Sequence, residues 1–430
     1  MEKTVDQFLD EDYKNYAEEV SFRRALPSAI DGLKPVRRKI FYYMIKNKNT
    51  GFIKVSAIAG GIAEKCNYHH GDASQAVINM AKDFPSSNNY SILIPKGMFG
   101  SKLLPNSASA SRYIHAKYNS INDMIFLDNE LAPKNYDLES PEPEYYLPII
   151  PLYLVNGISG IGIGYAVKMF PRKLSTVIKS IQDYLNDKCI QNEIPHFMNC
   201  VYQIEKVQDH SFEIRGQFHY EKDNLIITEL LPGDNRNKFV EKLISLQDND
   251  IIKSYHDESK TEFRFIIKLN KKMDDERIYQ TFCLSKIFHE NYTLLDHNNN
   301  IIVFNSYSEI IKYFTDYRLS VYTKRKELEI KKLNYEISKN RAIICFIKKM
   351  KDIINAKSVE DIRDLFKDEI TDDLIDFCLK KPLHSFMKMN IQNLIDDIAD
   401  YESKIEYYQQ VSEKELYLQD LDKLLYIVEG

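Results

Sequence analysis

Asp31-Gly-Leu-Lys-Pro-Val-Arg-Arg-Lys-Ile-Phe-Tyr-Tyr-Met44 is a turn that runs directly into a helix. Asp31-Gly32 reverses the chain. Pro35 suits the first helical position because the N–H it lacks would have no intrahelical partner there. Arg37, Arg38, Ile40, Phe41, Tyr43 and Met44 then continue the helix. Upstream, residues 14–24 read as a helix that Pro27 stops, since the residue before a proline avoids the helical region. Downstream, 55–65 reads as a second helix and 71–83 as a third, with Asp72 able to cap it. Three short helices in succession, the last entered through Gly71, predict a helix-turn-helix core.

Ile92-Leu-Ile94 is a short strand signal, and Gly97 and Gly100 punctuate a loop of small residues that leads to Ser107-Ala-Ser-Ala-Ser-Arg-Tyr-Ile114. An apolar run from 146 to 155 is followed by Gly157, Gly160, Gly162 and Gly164. From about 200 to 305, β-like runs at 212–216, 225–230, 263–269 and 301–304 accompany helical stretches near 236–246 and 273–283. This pattern predicts an α+β module with antiparallel pairing. From 306 onward the pattern is helical. Apolar residues at 310, 314, 317, 321 and 328 keep a three-four spacing, and Ile391, Leu394, Ile398, Tyr401, Ile405 and Tyr408 hold an a/d heptad. Two long helices around a compact helical insert at about 358–388 predict an antiparallel arm with a globular tip; an ordinary helical bundle is the other arrangement with this periodicity.

The chain has 430 residues, 44% of them apolar, which suggests about three domains at roughly 150 residues each. A net charge of −5 excludes a uniformly basic nucleic-acid binder. Residues 20–120 nevertheless hold 15 Lys and Arg against four acids, a net +11, between flanks of −5 (1–19) and −11 (121–430). Such a segment is either a footprint for phosphates, whose neutralisation releases counterions, or a solvated helix face. No 18-residue apolar stretch and no apolar signal core at the N-terminus occur, so a cytoplasmic protein that does not enter a membrane is expected. The six cysteines contain no CxxC pair and read as reduced, mostly buried thiols, not a zinc ribbon.

Arg112-Tyr113 is the strongest chemical candidate. A tyrosine oxygen can attack a phosphodiester and store the backbone bond as a phosphotyrosine. A neighbouring guanidinium matches phosphate oxygens and stabilises the charge of the transition state. Small residues before Tyr113 would let a duplex backbone approach. In a chain with 29 tyrosines, packing is the alternative role. Tyr68-His-His-Gly-Asp72 puts two imidazoles at the entrance of the third helix, where His70 could handle a phosphate or a proton or serve as a structural histidine. Lys34, Arg37, Arg38 and Lys39 crowd a helix start, where amides and cations both favour an anion. Gly157-Ile-Ser-Gly-Ile-Gly-Ile-Gly164 superficially suggests a dinucleotide loop but lacks a βαβ setting. It also fits an apolar wedge, Ile161, of the kind that unstacks a base step.

Together these blocks resemble the DNA-cleaving subunit of type IIA topoisomerases: gyrase A, its topoisomerase IV counterpart, eukaryotic topoisomerase II and the T-even-type phage enzyme. The matching blocks are Ala25 to Lys39, Tyr68 to Asp72, Gly97-Met-Phe-Gly-Ser101, Ala110-Ser-Arg-Tyr-Ile114 and Asn156 to Gly164, with a weaker one at Ile227-Thr-Glu-Leu-Leu-Pro232 that carries an extra leucine. The adjacent histidines and the Ser-Arg-Tyr-Ile ending look closer to the phage and eukaryotic branches, and a phage or viral subunit is expected. The resemblance implies an α+β multidomain fold: a winged-helix cleavage domain (1–150), an α+β tower (151–305), and a coiled-coil arm with a helical dimerisation gate (306–430). It implies Tyr113 as nucleophile for the 5′ phosphate, Arg112, Arg38 and His70 as its catalytic companions, and Ile161 as the wedge. Arg24, Lys34, Arg37, Lys39, Lys54, His69 and Ser74 would contact DNA. A homodimer would cut both strands with a short stagger.

The chain has no Glu-Gly-Asp-Ser/Thr run, and its lone Asp420-Leu-Asp422 falls in the C-terminal helix. Metal-assisted phosphoryl transfer needs clustered carboxylates. Mg²⁺ and ATP are therefore expected mainly on a partner chain within a heterotetramer or larger complex. With no DNA-wrapping propeller after the arm, relaxation and decatenation are expected over negative supercoiling. The rival reading is a non-catalytic winged-helix and coiled-coil protein that bridges DNA, which has no use for Arg112-Tyr113. A tyrosine recombinase would place its tyrosine near the C-terminus.

Overall fold

The computed structural model describes residues 12–135, 139–191, 194–367, 369–382, 386 and 390–429. The last part of the expected 358–388 insert therefore falls partly outside the described residues. Two compact units emerge: Met1–Arg318 with Leu418–Gly430, and Leu319–Tyr417. Residues 1–150 and 151–305, read from sequence as two domains, lie in one unit.

Helix α1 (Lys14–Val20) passes into a π-helical turn at Ser21–Ala25 that ends before Pro27. Helix α2 (Pro35–Lys46) has its proline at the first position and buries Ile40, Phe41 and Met44. Strand β1 (Ile53–Lys54) leads into α3 (Val55–Lys65), and α4 spans Ser74–Ala81. The third helix thus starts three residues later than read: Ala73, not Asp72, is its N-cap, and Asp72 one residue further out accepts from the Ser74 amide through Oδ1 at 2.9 Å. Strands β2 (Leu93–Lys96) and β3 (His115–Tyr118) complete an antiparallel sheet in the order β1-β3-β2. Three helices and a three-stranded antiparallel sheet thus surround the loop that carries Tyr113, the element set expected of a winged helix.

The apolar run ends in a short helix, α5 (Leu152–Asn156), whose Leu152, Tyr153, Leu154 and Val155 are buried. The glycine-rich block then forms a hairpin of β4 (Ile158–Ile161) and β5 (Ala166–Met169), and no dinucleotide loop. Helix α6 (Leu174–Leu185) follows. Strands β6 (Gln203–Gln208), β7 (Ser211–Arg215), β8 (Gln217–Glu221) and β9 (Asn224–Glu229) come next, then helix α7 (Arg236–Asp248). Strands β10 (Ile252–Asp257) and β11 (Phe265–Leu269) lead to α8 (Asp275–Phe282) and β12 (Ser285–His289). The sheets run β10-β11-β9-β8 and β12-β7-β6, all antiparallel. Phe265 faces Ile227 and Ile267 faces Leu225 across the first sheet. These side chains pack on Phe239 and Leu243 of α7 and on Ile278 and Phe282 of α8. Leu230 joins this core and Leu231 a second one with Phe170, Phe197 and Ile214, so both leucines of the extended block are used.

Strands β13 (Thr293–Leu295) and β14 (Ile301–Val303) form a hairpin that returns to the start of the chain, where the Ala29 amide donates to the Leu295 carbonyl at 2.7 Å. Helix α9 (Tyr307–Lys348) begins in the first unit and continues into the second. In the second unit, Ala342, Ile343 and Phe346 of α9 pack with Phe366 of α10 (Val359–Phe366) and with Leu374, Ile375 and Cys378 of α11 (Asp372–Leu379). Helix α12 (Ile391–Gln410) half-buries the six heptad residues and exposes every other position. Helix α13 (Glu413–Glu429) ends the chain and contains Asp420 and Asp422. Among the described residues no helix is long and apolar enough to cross a membrane. The thiols depart from expectation: Cys66 and Cys378 are buried, Cys200 and Cys345 half-buried, and Cys189 and Cys283 exposed.

Candidate nucleic-acid interface

Tyr113 ends the long loop between β2 and β3. Its ring is 67% exposed, so a bulky polymer can reach the phenol. The Arg112 guanidinium lies over that ring, 4.7 Å from the centroid, which places a planar fork of N–H donors on the face of the phenol. The loop end is fixed to the head of α3: the Val55 amide donates to the Ile114 carbonyl at 3.0 Å and the Ser56 amide to the Ser111 carbonyl at 3.2 Å. Ile114 next door is buried, so the tyrosine projects from a firm base.

Across the small sheet, Lys54 and Lys96 both register with His115. Lys96 and Lys117 place their ammonium groups over Phe52, at 5.4 and 5.1 Å from its centroid. Sequence reasoning missed Phe52, Lys96 and Lys117 as a group, because only strand pairing brings them together. His69 and His70 are exposed in the turn before α4. Tyr68 packs edge-on to His70 at 5.9 Å, and His69 hydrogen-bonds Asn67.

The start of α2 divides its cations. Lys34 donates to the Ser159 carbonyl at 3.1 Å, which ties the helix to β4. Burial, and then the charge of Arg37, lower the Lys34 pKa, and burial lowers that of Arg37. Two crowded, partly desolvated cations are relieved by an arriving anion. The side chains of Arg37, Arg24 and Lys54 make no hydrogen bond or ion pair among the described residues. Arg38, by contrast, is forked onto buried Asp31 through Nε (2.8 Å) and Nη2 (3.1 Å), and Nη2 also donates to the Leu33 carbonyl. It can therefore offer only Nη1 outward. Asp31 also accepts from the Leu33 and Tyr146 amides. Sequence reasoning missed it; the signal was an acid in a basic block.

Two expected DNA contacts point elsewhere. The Lys39 ammonium is used inside, on the Cys66 carbonyl, Ser140 and the buried Glu142. Ser74 is 6% exposed at the first position of α4, where its amide donates to Asp72 Oδ1. Ile161 is the reverse case: at 88% exposed it is the tip of the β4–β5 hairpin. Gly160 lets that hairpin lie against the Ser21–Ala25 turn, since a Cβ there would come 2.0 Å from the Ala25 carbonyl oxygen.

The family model for the A-type chain of DNA gyrase/topoisomerase IV matches residues 24–423. The chain belongs to this family. It is 32% identical to the mitochondrial DNA topoisomerase 2 of Dictyostelium discoideum over 98% of its own length and 35% of that protein. It is 28% identical to the DNA topoisomerase medium subunit of Enterobacteria phage T4, over 98% of this chain and 99% of that one. The solved DNA-binding, cleavage and re-ligation domain of Plasmodium falciparum topoisomerase II superposes with a TM-score of 0.89 at 27% identity, covering 98% of this chain and 64% of that one. The chain thus spans about a third of the Dictyostelium protein. The family and the α+β fold class expected from the ordered blocks are those observed. Type II topoisomerases use Mg²⁺ and ATP. Among the described residues there is no group of three or more His, Cys, Asp or Glu that could hold a metal ion.

Proposed function

We propose that this chain is the DNA-cleaving and religating subunit of an ATP-dependent type IIA topoisomerase, active in relaxation and decatenation. The observation that carries the reading is the exposed Tyr113 phenol under the Arg112 guanidinium. The Tyr113 oxygen forms a bond to the scissile phosphorus as the bond to the 3′ oxygen breaks. The phenol loses its proton and the 3′ oxygen gains one. A 5′-phosphotyrosine and a free 3′-hydroxyl result, and the reverse step restores the backbone without hydrolysis. Arg112 balances charge on the transferring phosphate, and Arg38 assists through Nη1 in the orientation that Asp31 imposes. His70 lies near the scissile group. Arg24, Lys34, Arg37, Lys54 and His69 hold the duplex, and Ile161 enters a base step to bend it.

In this reading residues 1–150 cleave, 151–305 form the tower, and 306–430 form the arm and the gate of a homodimer whose two Tyr113 residues cut opposite strands. A partner chain carries the ATPase and the main Mg²⁺ site, and the complex works in the cytoplasm of a host cell. The test is denaturing electrophoresis of the complex with supercoiled plasmid DNA and Mg²⁺. Wild type should yield a covalent protein–DNA adduct and Tyr113→Phe none; an adduct with Tyr113→Phe would refute this nucleophile.

A further inference from the structure

The loop that carries Tyr113 has a second anchor, upstream of the tyrosine, in a different sheet. Lys102 Nζ lies 2.7 Å from Glu229 Oε2, with both side chains about 5% exposed or less. The partly exposed Glu262 supplies a second carboxylate at 2.5 Å. Next to it, Leu103 is buried in the core built by Leu225, Ile227, Phe239 and Phe265, and its carbonyl accepts from the Arg236 amide at 3.0 Å. Gly100, at φ +121°, makes the tight bend that delivers Lys102: a Cβ there would come 2.8 Å from the Pro105 carbonyl oxygen. From Asn106 to Tyr113 no residue is buried. The Ser109 amide donates to the Met98 carbonyl at 2.9 Å, but that bond stays within the loop. The upstream hold of this stretch on a neighbouring sheet runs through Lys102 and Leu103.

We propose that Lys102 and Glu229 are positioning residues for the Tyr113 loop, clamping it to the end of β9. The proposal rests on the cleavage reading of Tyr113. A leucine alone can slide in an apolar core, whereas a desolvated ammonium between two carboxylates has one register, and leaving it creates an uncompensated buried charge. The pair thereby links the cleavage loop to the β10-β11-β9-β8 sheet of the same unit.

Two readouts separate this clamp from the cleavage reading. Hydrogen exchange of the chain with Lys102→Met should speed up at residues 106–113, and unchanged exchange there would overturn the clamp whether or not DNA is cut. In the assembled complex with plasmid DNA and Mg²⁺, Lys102→Met should slow adduct formation on the order of a hundredfold while DNA affinity stays within about twofold, as expected for a displaced nucleophile. Lys102→Arg should restore both. The double variant Lys102→Met with Glu229→Met leaves no lone buried charge in the pair, so it should regain thermal stability yet remain slow. Wild-type cleavage by that double variant would show that the pair only stabilises the fold. An adduct with Tyr113→Phe would overturn the nucleophile instead, leaving the exchange result to stand on its own.

Discussion

Asp31 shows how a site is set by a residue that never reaches the ligand. Its carboxylate is fully buried and meets only donors: the amides of Leu33 and Tyr146, and Nε and Nη2 of Arg38. In Asp31→Asn the new amide N–H groups would face those donors. The expected loss is roughly 3–5 kcal/mol of stability, the scale for breaking a buried pair, read as a lower urea midpoint. Adduct formation should fall too, because Arg38 loses its fork. The cysteines give a second test at this scale. Burial, and then the charge of Glu142, push the Cys66 thiol up to about 11, and burial does the same to Cys378. Both values are raised, so folding favours the protonated thiols. Their contribution is intact below pH 9, the ordinary thiol value, and is lost as pH climbs toward 11. An alkylating reagent at pH 8 should therefore label the exposed Cys189 and Cys283 well before Cys66 and Cys378, as peptide mapping would show.

Among elements, the β4–β5 hairpin concentrates the clearest prediction. Gly160→Ala puts a methyl group against the Ala25 carbonyl oxygen, a backbone atom that cannot rotate away. The hairpin must shift, and Ile161 with it. Ile161→Ala removes the exposed side chain without that clash. Both variants should bend a short duplex less than wild type by fluorescence energy transfer between its ends, but only Gly160→Ala should also lower the melting temperature; full bending by Ile161→Ala would count against the wedge. The sheets show what the sequence could and could not disclose. In β12-β7-β6 the sequence reading found the buried centre, β7, and missed both polar edges. In β10-β11-β9-β8 it found β9 and β11, again the centre, and missed β8 and β10. A central strand writes its burial into composition, while an edge strand with one covered face carries polar residues like those of a loop. Helices whose apolar stripe is continuous were legible, with α3 found to the residue and the α12 heptad matched position for position.

For the whole molecule, the basic segment and the carboxylate arrangement lead to one expectation about assembly. Cations gather in residues 20–120, the segment that holds Tyr113, and no metal-holding cluster stands among the described residues. The isolated chain with Mg²⁺ and ATP should give almost no strand passage in a plasmid relaxation assay, and addition of the ATPase partner should restore it; vigorous turnover by the chain alone would refute the division of labour. The sequence by itself determined the family, the helical core, the arm's heptad and the Arg112-Tyr113 pair, because those are written in local order and spacing. Only the tertiary structure decided which cations remain available: it turned Lys39 inward, forked Arg38 onto Asp31, left Arg37 without an ion pair among the described residues and raised Ile161 into solvent. Those outcomes depend on partners far away in the chain, the acceptors Glu142 and Ser159 and the donating amide of Tyr146, whose proximity is fixed by packing and leaves no mark in the neighbouring sequence.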